Sequence, residues 1–143
     1  MKVFIAGIMQ GSCLGRDLHP QDYRRRIMAV VRDVYPQAEI VDPWALHPGS
    51  VDYTPEKARA TLLEMTRAAG ESDVVVAYLP QASMGTALEM YEAHRRGRIV
   101  ISISPLGENW VVQYLSNRVL PDLDVFEAWV RAGELARLVA GSF

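Results

Sequence analysis

The sequence has little of several features that mark specialised classes of protein. Its 143 residues include one cysteine, Cys13, so an intramolecular disulfide is excluded and a reducing compartment is expected. No apolar run approaches the roughly 20 residues that a membrane-spanning helix requires. Residues 1–7 are too short and too strand-like to be a signal peptide. We therefore expect a cytoplasmic protein that does not bind to membranes.

Neither an excess of charge nor a cluster of histidines is present. The formal net charge of −2 gives no general electrostatic reason to bind a nucleic acid polymer. The basic cluster at residues 24–26 lies in an amphipathic helical pattern and is predicted to form a solvated helix face. His19, His47 and His94 lie in separate segments without metal-ligand spacing. We expect no metal ion, and the sequence indicates no other cofactor.

The chain instead alternates short apolar runs with helical patterns. The apolar runs predict four strands, at residues 2–8, 38–43, 73–79 and 98–105. Helical spacing predicts a helix before Pro36, one from Thr54-Pro55 to about Gly70, one over 84–97, a short one within 109–117 and one over 124–140. This alternation implies a parallel sheet with helices on both faces. We predict a single doubly wound α/β sheet, Rossmann-like or flavodoxin-like, with four to five strands.

Sheets of this kind bind ligands outside the carboxyl ends of their strands. The candidate loops are therefore residues 7–15, 42–53, 79–85 and 104–109. The first contains three glycines, which suit either close approach to a ligand or a flexible connection. Trp44 and His47 follow the second strand, and an aromatic residue there would either stack on a nucleobase or pack in the core.

Three residues of the third helical pattern, "SMGTALE", suggest a ligand site. Ser83 is a good helix cap, and a serine at a helix N-terminus can also bind an anion. Gly85 costs about 1 kcal/mol against alanine in a helix, and it lies one turn before Glu89. The helical pattern places Met84, Leu88 and Tyr91 on the apolar side and Glu89 on the other. Glu89 is therefore either a solvated charge or a carboxylate that a ligand reaches past Gly85.

Two segments, "FIAGIMQGS" and "DVVVAYLPQASMGTALEMYEAHRRGRIVI", resemble the nucleoside 2-deoxyribosyltransferase superfamily. This superfamily includes the transferases and the nucleoside 5′-monophosphate N-glycosidases, and the likeness covers roughly residues 2–120. Its most specific part is a strand, a loop, "GT", two residues and a glutamate. The resemblance implies one such domain over residues 1–143, with no cofactor, and a homodimer or higher homo-oligomer with shared active sites.

The resemblance also implies roles for individual residues. Glu89 matches the nucleophile that attacks the anomeric carbon of the sugar. Ser83 matches the serine by which the nucleotide-hydrolysing branch binds the 5′-phosphate, where the transferases carry an aspartate. The loop over residues 7–12 would contact sugar and phosphate, and the base would lie near Trp44 or His47. The residues of that loop taken as candidates are Gly7, Met9, Gln10, Gly11 and Ser12.

The chain departs from the family pattern at two places: Met90 follows Glu89 where the family often has a glycine, and the acid is displaced. The family's acid, which protonates the leaving base, lies about eight residues before the strand, and counting back from Asp73 gives Met65. Glu64 matches if one residue is inserted, so we predict Glu64 as this acid. A neighbouring subunit would complete the site from the segment after the fourth strand. The candidates there are Gln113, Ser116 and Asn117.

The sequence therefore predicts an enzyme that acts on a nucleotide or nucleoside. The leading expectation is hydrolysis of the N-glycosidic bond of a (deoxy)ribonucleoside 5′-monophosphate, which releases the free base and sugar 5-phosphate. One alternative is a nucleoside 2-deoxyribosyltransferase with the same nucleophile and a second base as acceptor. Another is a non-catalytic nucleotide-binding or sensing domain.

Overall fold

Five parallel strands form one sheet in the structure, a computed structural model that describes residues 1–11, 13 and 15–141. The order across the sheet is β2-β1-β3-β4-β5, and every neighbouring pair is parallel. The strands are β1 (Lys2–Gly7), β2 (Glu39–Val41), β3 (Val74–Tyr78), β4 (Ile99–Ile103) and β5 (Arg118–Leu120). The predicted doubly wound sheet is confirmed, and its strand order is that of flavodoxin-like folds.

Helices cover both faces of this sheet. In the described part of the chain they are α1 (Asp22–Val34), α2 (Pro43–Leu46), α3 (Pro55–Gly70), α4 (Met84–Arg95), α5 (Trp110–Leu115), α6 (Leu123–Arg131) and α7 (Glu134–Ala140), with a 3-10 turn at Ser50–Asp52. No helix among these residues is long and apolar enough to cross a membrane.

The two faces of the sheet bury separate apolar layers because successive strand side chains point to opposite sides. Val3 and Ile5 of β1 pack in the layer that contains residues of α1, α6 and α7. Phe4 and Ala6 pack in the other layer, with residues of α3, α4 and α5. This second layer fixes the carboxyl end of β1 relative to α3 and α4, the two helices that line the candidate site.

The C-terminal segment differs from the prediction. The single helix predicted over residues 124–140 is two helices, α6 and α7, which meet at Gly133. Gly133 has a φ of 77°, in the left-handed region that favours glycine. The prediction was wrong because the apolar spacing continues across a residue whose backbone ends one helix and starts the next.

Candidate active site

A cavity of about 430 Å³ lies at the carboxyl ends of β1 and β3. The chain connections that follow β1 and β3 run in opposite directions here, since β1 leads to β2 on one side and β3 leads to β4 on the other. Sheets of the α/β class bind ligands at such points. The volume is in the range of small-molecule sites. The lining residues are Gly7, Met9, Gln10, Gly11, Leu18, Pro43, His47, Ser50, Val51, Tyr53, Ala58, Thr61, Leu62, Met65, Ser83, Met84, Gly85, Thr86 and Glu89.

Glu89 is the one carboxylate among the described residues that line the cavity. Its side chain is half-buried, and this desolvation raises the pKa of Glu89 from an ordinary 4.5 to about 8, while the positive charge of Arg24 acts in the opposite direction. The ionised carboxylate is therefore a destabilised, weakly solvated anion. Such an anion is well suited to attack an electron-poor carbon or to stabilise a positive charge on a ligand.

Glu89 reaches the cavity because α4 packs in an orientation that its apolar residues do not predict. The buried residues of α4 are Thr86, Met90 and Ala93. The residues predicted to form the packed side are largely exposed; they are Met84, Leu88 and Tyr91. That prediction was wrong because the α4 face against the sheet is a narrow stripe of small and flexible side chains. Glu89 lies at the edge of this stripe and not on a solvated face.

Ser83 caps the first turn of α4 at the same cavity. Its Oγ accepts a hydrogen bond from the Thr86 hydroxyl at 2.9 Å and a longer one from the Thr86 amide at 3.4 Å. Met84 and Gly85 also line the cavity, so the amino-terminal end of the helix faces the ligand space. The amides and the dipole of this turn favour an anion. A Cβ at Gly85 would have no heavy atom within 4 Å, so the missing side chain leaves open space one turn before Glu89.

The loop after β1 forms the opposite wall. Gly7, Met9, Gln10 and Gly11 line the cavity, whereas the predicted Ser12 lies outside the described residues. A Cβ at Gly7 would overlap the hydroxyl of Tyr23, so only glycine fits at this strand end. Gly11 has a φ of 53°, in the left-handed region. The backbone of this loop is thereby held close to the ligand space.

A buried ion pair supports this loop from beneath. Arg24 donates from Nη1 to Asp42 Oδ1 at 2.9 Å and to the Ile5 carbonyl at 3.0 Å, and from Nη2 to the Gly7 carbonyl at 3.3 Å. Arg24 is 1% exposed, so the prediction of a solvated face over residues 24–26 is wrong at this position. The guanidinium joins the carboxyl ends of β1 and β2 and is the positive charge that Glu89 experiences.

The segment between β2 and α3 forms a third wall. His47 and Tyr53 line the cavity, and His47 Nδ1 lies 3.0 Å from the Tyr53 hydroxyl. Lys57 Nζ lies 4.0 Å from the centroid of the Tyr53 ring, a cation–π contact. Trp44, the other predicted base contact, is half-buried in α2 and does not line the cavity. Sequence reasoning missed Tyr53, although it precedes the strong helix start at Thr54.

The predicted acid, Glu64, is separated from the other candidates. It is exposed on α3 and does not line the cavity, whereas Met65 is buried and does. Successive helical residues lie about 100° apart, so the inward position of Met65 turns Glu64 outward. Counting eight residues back from Asp73 gives Met65, whereas Glu64 matches the family's acid only with an insertion. The structure places Met65, and not Glu64, against the cavity.

The three candidates after β4 also lie outside this cavity. Gln113 is exposed on α5. The Ser116 hydroxyl lies 2.7 Å from that of Ser102, and Asn117 Oδ1 accepts a hydrogen bond from the Val100 amide at 2.8 Å. Ser116 and Asn117 thus fasten the start of β5 to β4 within this chain. Within one chain, the cavity is built without this segment.

No known family profile matches the chain, and no curated protein matches it in sequence.

The described residues contain no group of three histidine, cysteine or carboxylate side chains that could hold a metal ion.

Solved structures do share its fold. A 2-deoxyribosyltransferase from Bacillus psychrosaccharolyticus superposes with a TM-score of 0.64 at 17% identity, over 89% of this chain and 90% of that one. A conserved protein from Enterococcus faecalis V583 gives 0.61 at 16% identity, over 92% and 98%. The Clostridium botulinum CMP N-glycosidase BcmB gives 0.54 at 16% identity, over 92% and 99%. The resemblance predicted from the sequence is thus confirmed at the level of the fold.

Proposed function

We propose that the protein hydrolyses the N-glycosidic bond of a nucleoside 5′-monophosphate, with Glu89 as the nucleophile. The observation that carries this proposal is that Ser83 and Glu89 border one cavity from the same helix. Six helical residues span roughly 9 Å, a length comparable to that of a sugar 5-phosphate approached by a carboxylate at its anomeric carbon. The fold likeness to a 2-deoxyribosyltransferase and a CMP N-glycosidase supports the same class of substrate.

The chemistry follows from the charges of the site. Cleavage of an N-glycosidic bond builds positive charge on the sugar, and the Glu89 carboxylate would stabilise that charge or form a glycosyl ester. The amides at the start of α4 and the Ser83 hydroxyl would hold the phosphate. Gly85 would leave room for the sugar, and the loop over residues 7–11 would enclose it. Water then cleaves the ester and restores the carboxylate.

The test is release of free base from a panel of nucleosides and their 5′-monophosphates, measured by chromatography. The wild type is expected to act on monophosphates, and Glu89→Gln is expected to lose at least about 1,000-fold in kcat, as for removal of a nucleophile. The matched control is Glu71→Gln, an exposed acid at the far end of α3, which should retain full activity. Release from nucleosides alone would contradict the phosphate assignment.

A second base added to the same reactions separates the hydrolase from the transferase. A transferase would transfer the sugar from Glu89 to the added base and produce a new nucleoside. The hydrolase produces sugar 5-phosphate whether or not a second base is present. Ser83 favours the hydrolase, because an aspartate, which the transferases carry at the matching position, would repel a phosphate.

We also propose that a second copy of this chain covers the exposed apolar surface of α4 and α5. The residues of this surface are Met84, Leu88, Tyr91, Trp110, Val111 and Tyr114. Large contiguous apolar patches on a soluble domain mark interaction sites, and Gln113 lies on the same short helix. Sedimentation should show a dimer that Leu88→Lys converts to monomer, whereas the exposed Leu63→Lys on α3 should leave it a dimer. A monomeric wild type would contradict this assignment.

A further inference from the structure

The cavity offers one carboxylate for a reaction that also requires a proton donor. A purine or pyrimidine is a poor leaving group as an anion, so it departs readily only when a proton reaches one of its ring or exocyclic atoms. A general acid in the site ordinarily contributes about 100- to 10,000-fold to such a step. Among the described residues that line the cavity, the titratable side chains are Glu89, His47 and Tyr53. Glu89 is already assigned to the sugar.

The acid suggested by sequence spacing is not placed for this role. Glu64 is exposed and does not line the cavity, and Met65, which occupies the inward position of α3, carries no proton. A proton donor must lie within hydrogen-bond reach of its acceptor. Among the described residues of this chain, the donor must therefore come from another wall of the cavity.

His47 has the geometry of an oriented acid. It ends the α2 turn, and its ring lies edge-on to Tyr53, with the centroids 5.8 Å apart. The contact of 3.0 Å between Nδ1 and the Tyr53 hydroxyl engages one ring nitrogen and leaves Nε2 to act on a ligand. The Lys57 ammonium lies over the Tyr53 ring and adds a cation–π contact that holds the phenol. Imidazole is also the side chain that most readily exchanges a proton near neutral pH.

We propose that His47 is the general acid that protonates the leaving base, and that Tyr53 positions it. This inference rests on the proposed function. In the first step Glu89 forms a bond to the anomeric carbon, the carbon–nitrogen bond breaks and its electron pair leaves with the base. The imidazolium of His47 gives its proton to the base and becomes neutral. In the second step neutral His47 takes a proton from water as the water oxygen attacks the anomeric carbon, and the carboxylate of Glu89 leaves.

The experiment compares two leaving groups on the same sugar 5-phosphate. One substrate is the best natural monophosphate found in the panel, and the other carries 4-nitrophenolate, which departs without a proton. His47→Gln should lower kcat on the natural substrate by about 100-fold or more and on the nitrophenyl substrate by less than about fivefold. Tyr53→Phe should show the same preference with a smaller loss. His94→Gln, an exposed histidine near the end of α4, is the matched control and should leave both rates unchanged.

The outcomes separate this inference from the function on which it rests. If the wild type releases base but His47→Gln is slowed equally on both substrates, or on neither, the acid role of His47 is overturned and the proposed function stands. A wild type that releases no base from any nucleotide or nucleoside overturns both. Thermal unfolding of each variant checks folding, and if His47→Gln is unfolded, the preference between leaving groups in Tyr53→Phe decides the question.

Discussion

Arg24 and Asp42 form an ion pair of 2.9 Å in which both side chains are almost completely withdrawn from solvent. The pair joins α1 to the end of β2, and the same guanidinium binds two carbonyl oxygens at the end of β1. The pair therefore stabilises the carboxyl ends of β1 and β2, from which the cavity loops begin. Among the described residues, the Arg24 guanidinium is the one positive charge that acts to lower the pKa of Glu89.

Asp42→Asn should destabilise the protein by about 3 to 5 kcal/mol, because it leaves a buried arginine without its counter-charge. Asparagine keeps the size of the side chain and can still accept the hydrogen bond from the Trp44 amide that caps α2. Urea unfolding measures the change. The matched control is Asp22→Asn, which removes the exposed partner of Arg25 and should change the free energy of unfolding by less than about 1 kcal/mol. Equal effects of the two variants would contradict the assigned role.

Glu89 should make the free energy of unfolding depend on pH. The folded protein holds the Glu89 proton up to about pH 8, whereas the unfolded chain releases it near pH 4.5, so between these values the folded state binds more protons. Stability contributed at this position is therefore fully present below about pH 4.5 and is lost as pH rises toward 8.

Glu89→Gln removes this dependence. At pH 8.5 its free energy of unfolding should exceed that of the wild type by about 2 to 4 kcal/mol. This range is smaller than the full pKa shift would give, because the carboxylate is partly solvated. At pH 5 the two free energies should be nearly equal. Urea unfolding at the two pH values gives the comparison. Glu64→Gln on the exposed side of α3 should show no such difference. A gain of equal size at both pH values would indicate a cause other than ionisation.

Gly85→Ala should separate stability from activity. Alanine is favoured over glycine in a helix by up to about 1 kcal/mol, and nothing lies within 4 Å of the added methyl group. The variant should therefore melt at a higher temperature. Because the methyl group enters the cavity one turn before Glu89, kcat/KM on a monophosphate should fall. The control is Gly107→Ala, whose methyl group also meets open space but lies outside the cavity, and it should leave kcat/KM unchanged. A Gly85→Ala variant of full activity would show that the sugar does not approach Gly85.

The sequence was sufficient to predict the sheet because its strands are local features. The run at 73–79 becomes β3, whose residues Val74 to Ala77 are buried, and a strand covered on both faces must be apolar throughout. The caps at Thr54 and Ser83 are also local, since each side chain accepts a hydrogen bond from an amide three residues on. The location of the candidate site then followed from the topology, because the carboxyl ends of parallel strands lie at one edge of the sheet. The sequence did not locate the fifth strand, β5, at Arg118–Leu120.

The features that could not be predicted depend on partners distant in sequence. Arg24 is buried because Asp42, 18 residues away, supplies the counter-charge, and no helical period contains that information. The exposed Leu88 and Tyr91 show the same limit, because a helical wheel gives the angle between residues but not which side meets the sheet. The pairing of His47 with Tyr53 depends on the path of an irregular loop, for which sequence provides no periodic signal.

Ser83→Asp should change the preferred substrate from a monophosphate to a nucleoside. Aspartate caps a helix as well as serine does, so α4 should keep its N-terminus. Its charge would face a phosphate dianion, and repulsion at about 4 Å in a partly solvated site is worth several kcal/mol. We expect kcat/KM on the monophosphate to fall by at least about 100-fold, while the rate on the matching nucleoside holds or rises. Ser83→Asn, a neutral cap of the same size as aspartate, is the control and should lose far less on the monophosphate. Equal losses by Ser83→Asp on both substrates would show that the start of α4 does not bind the phosphate.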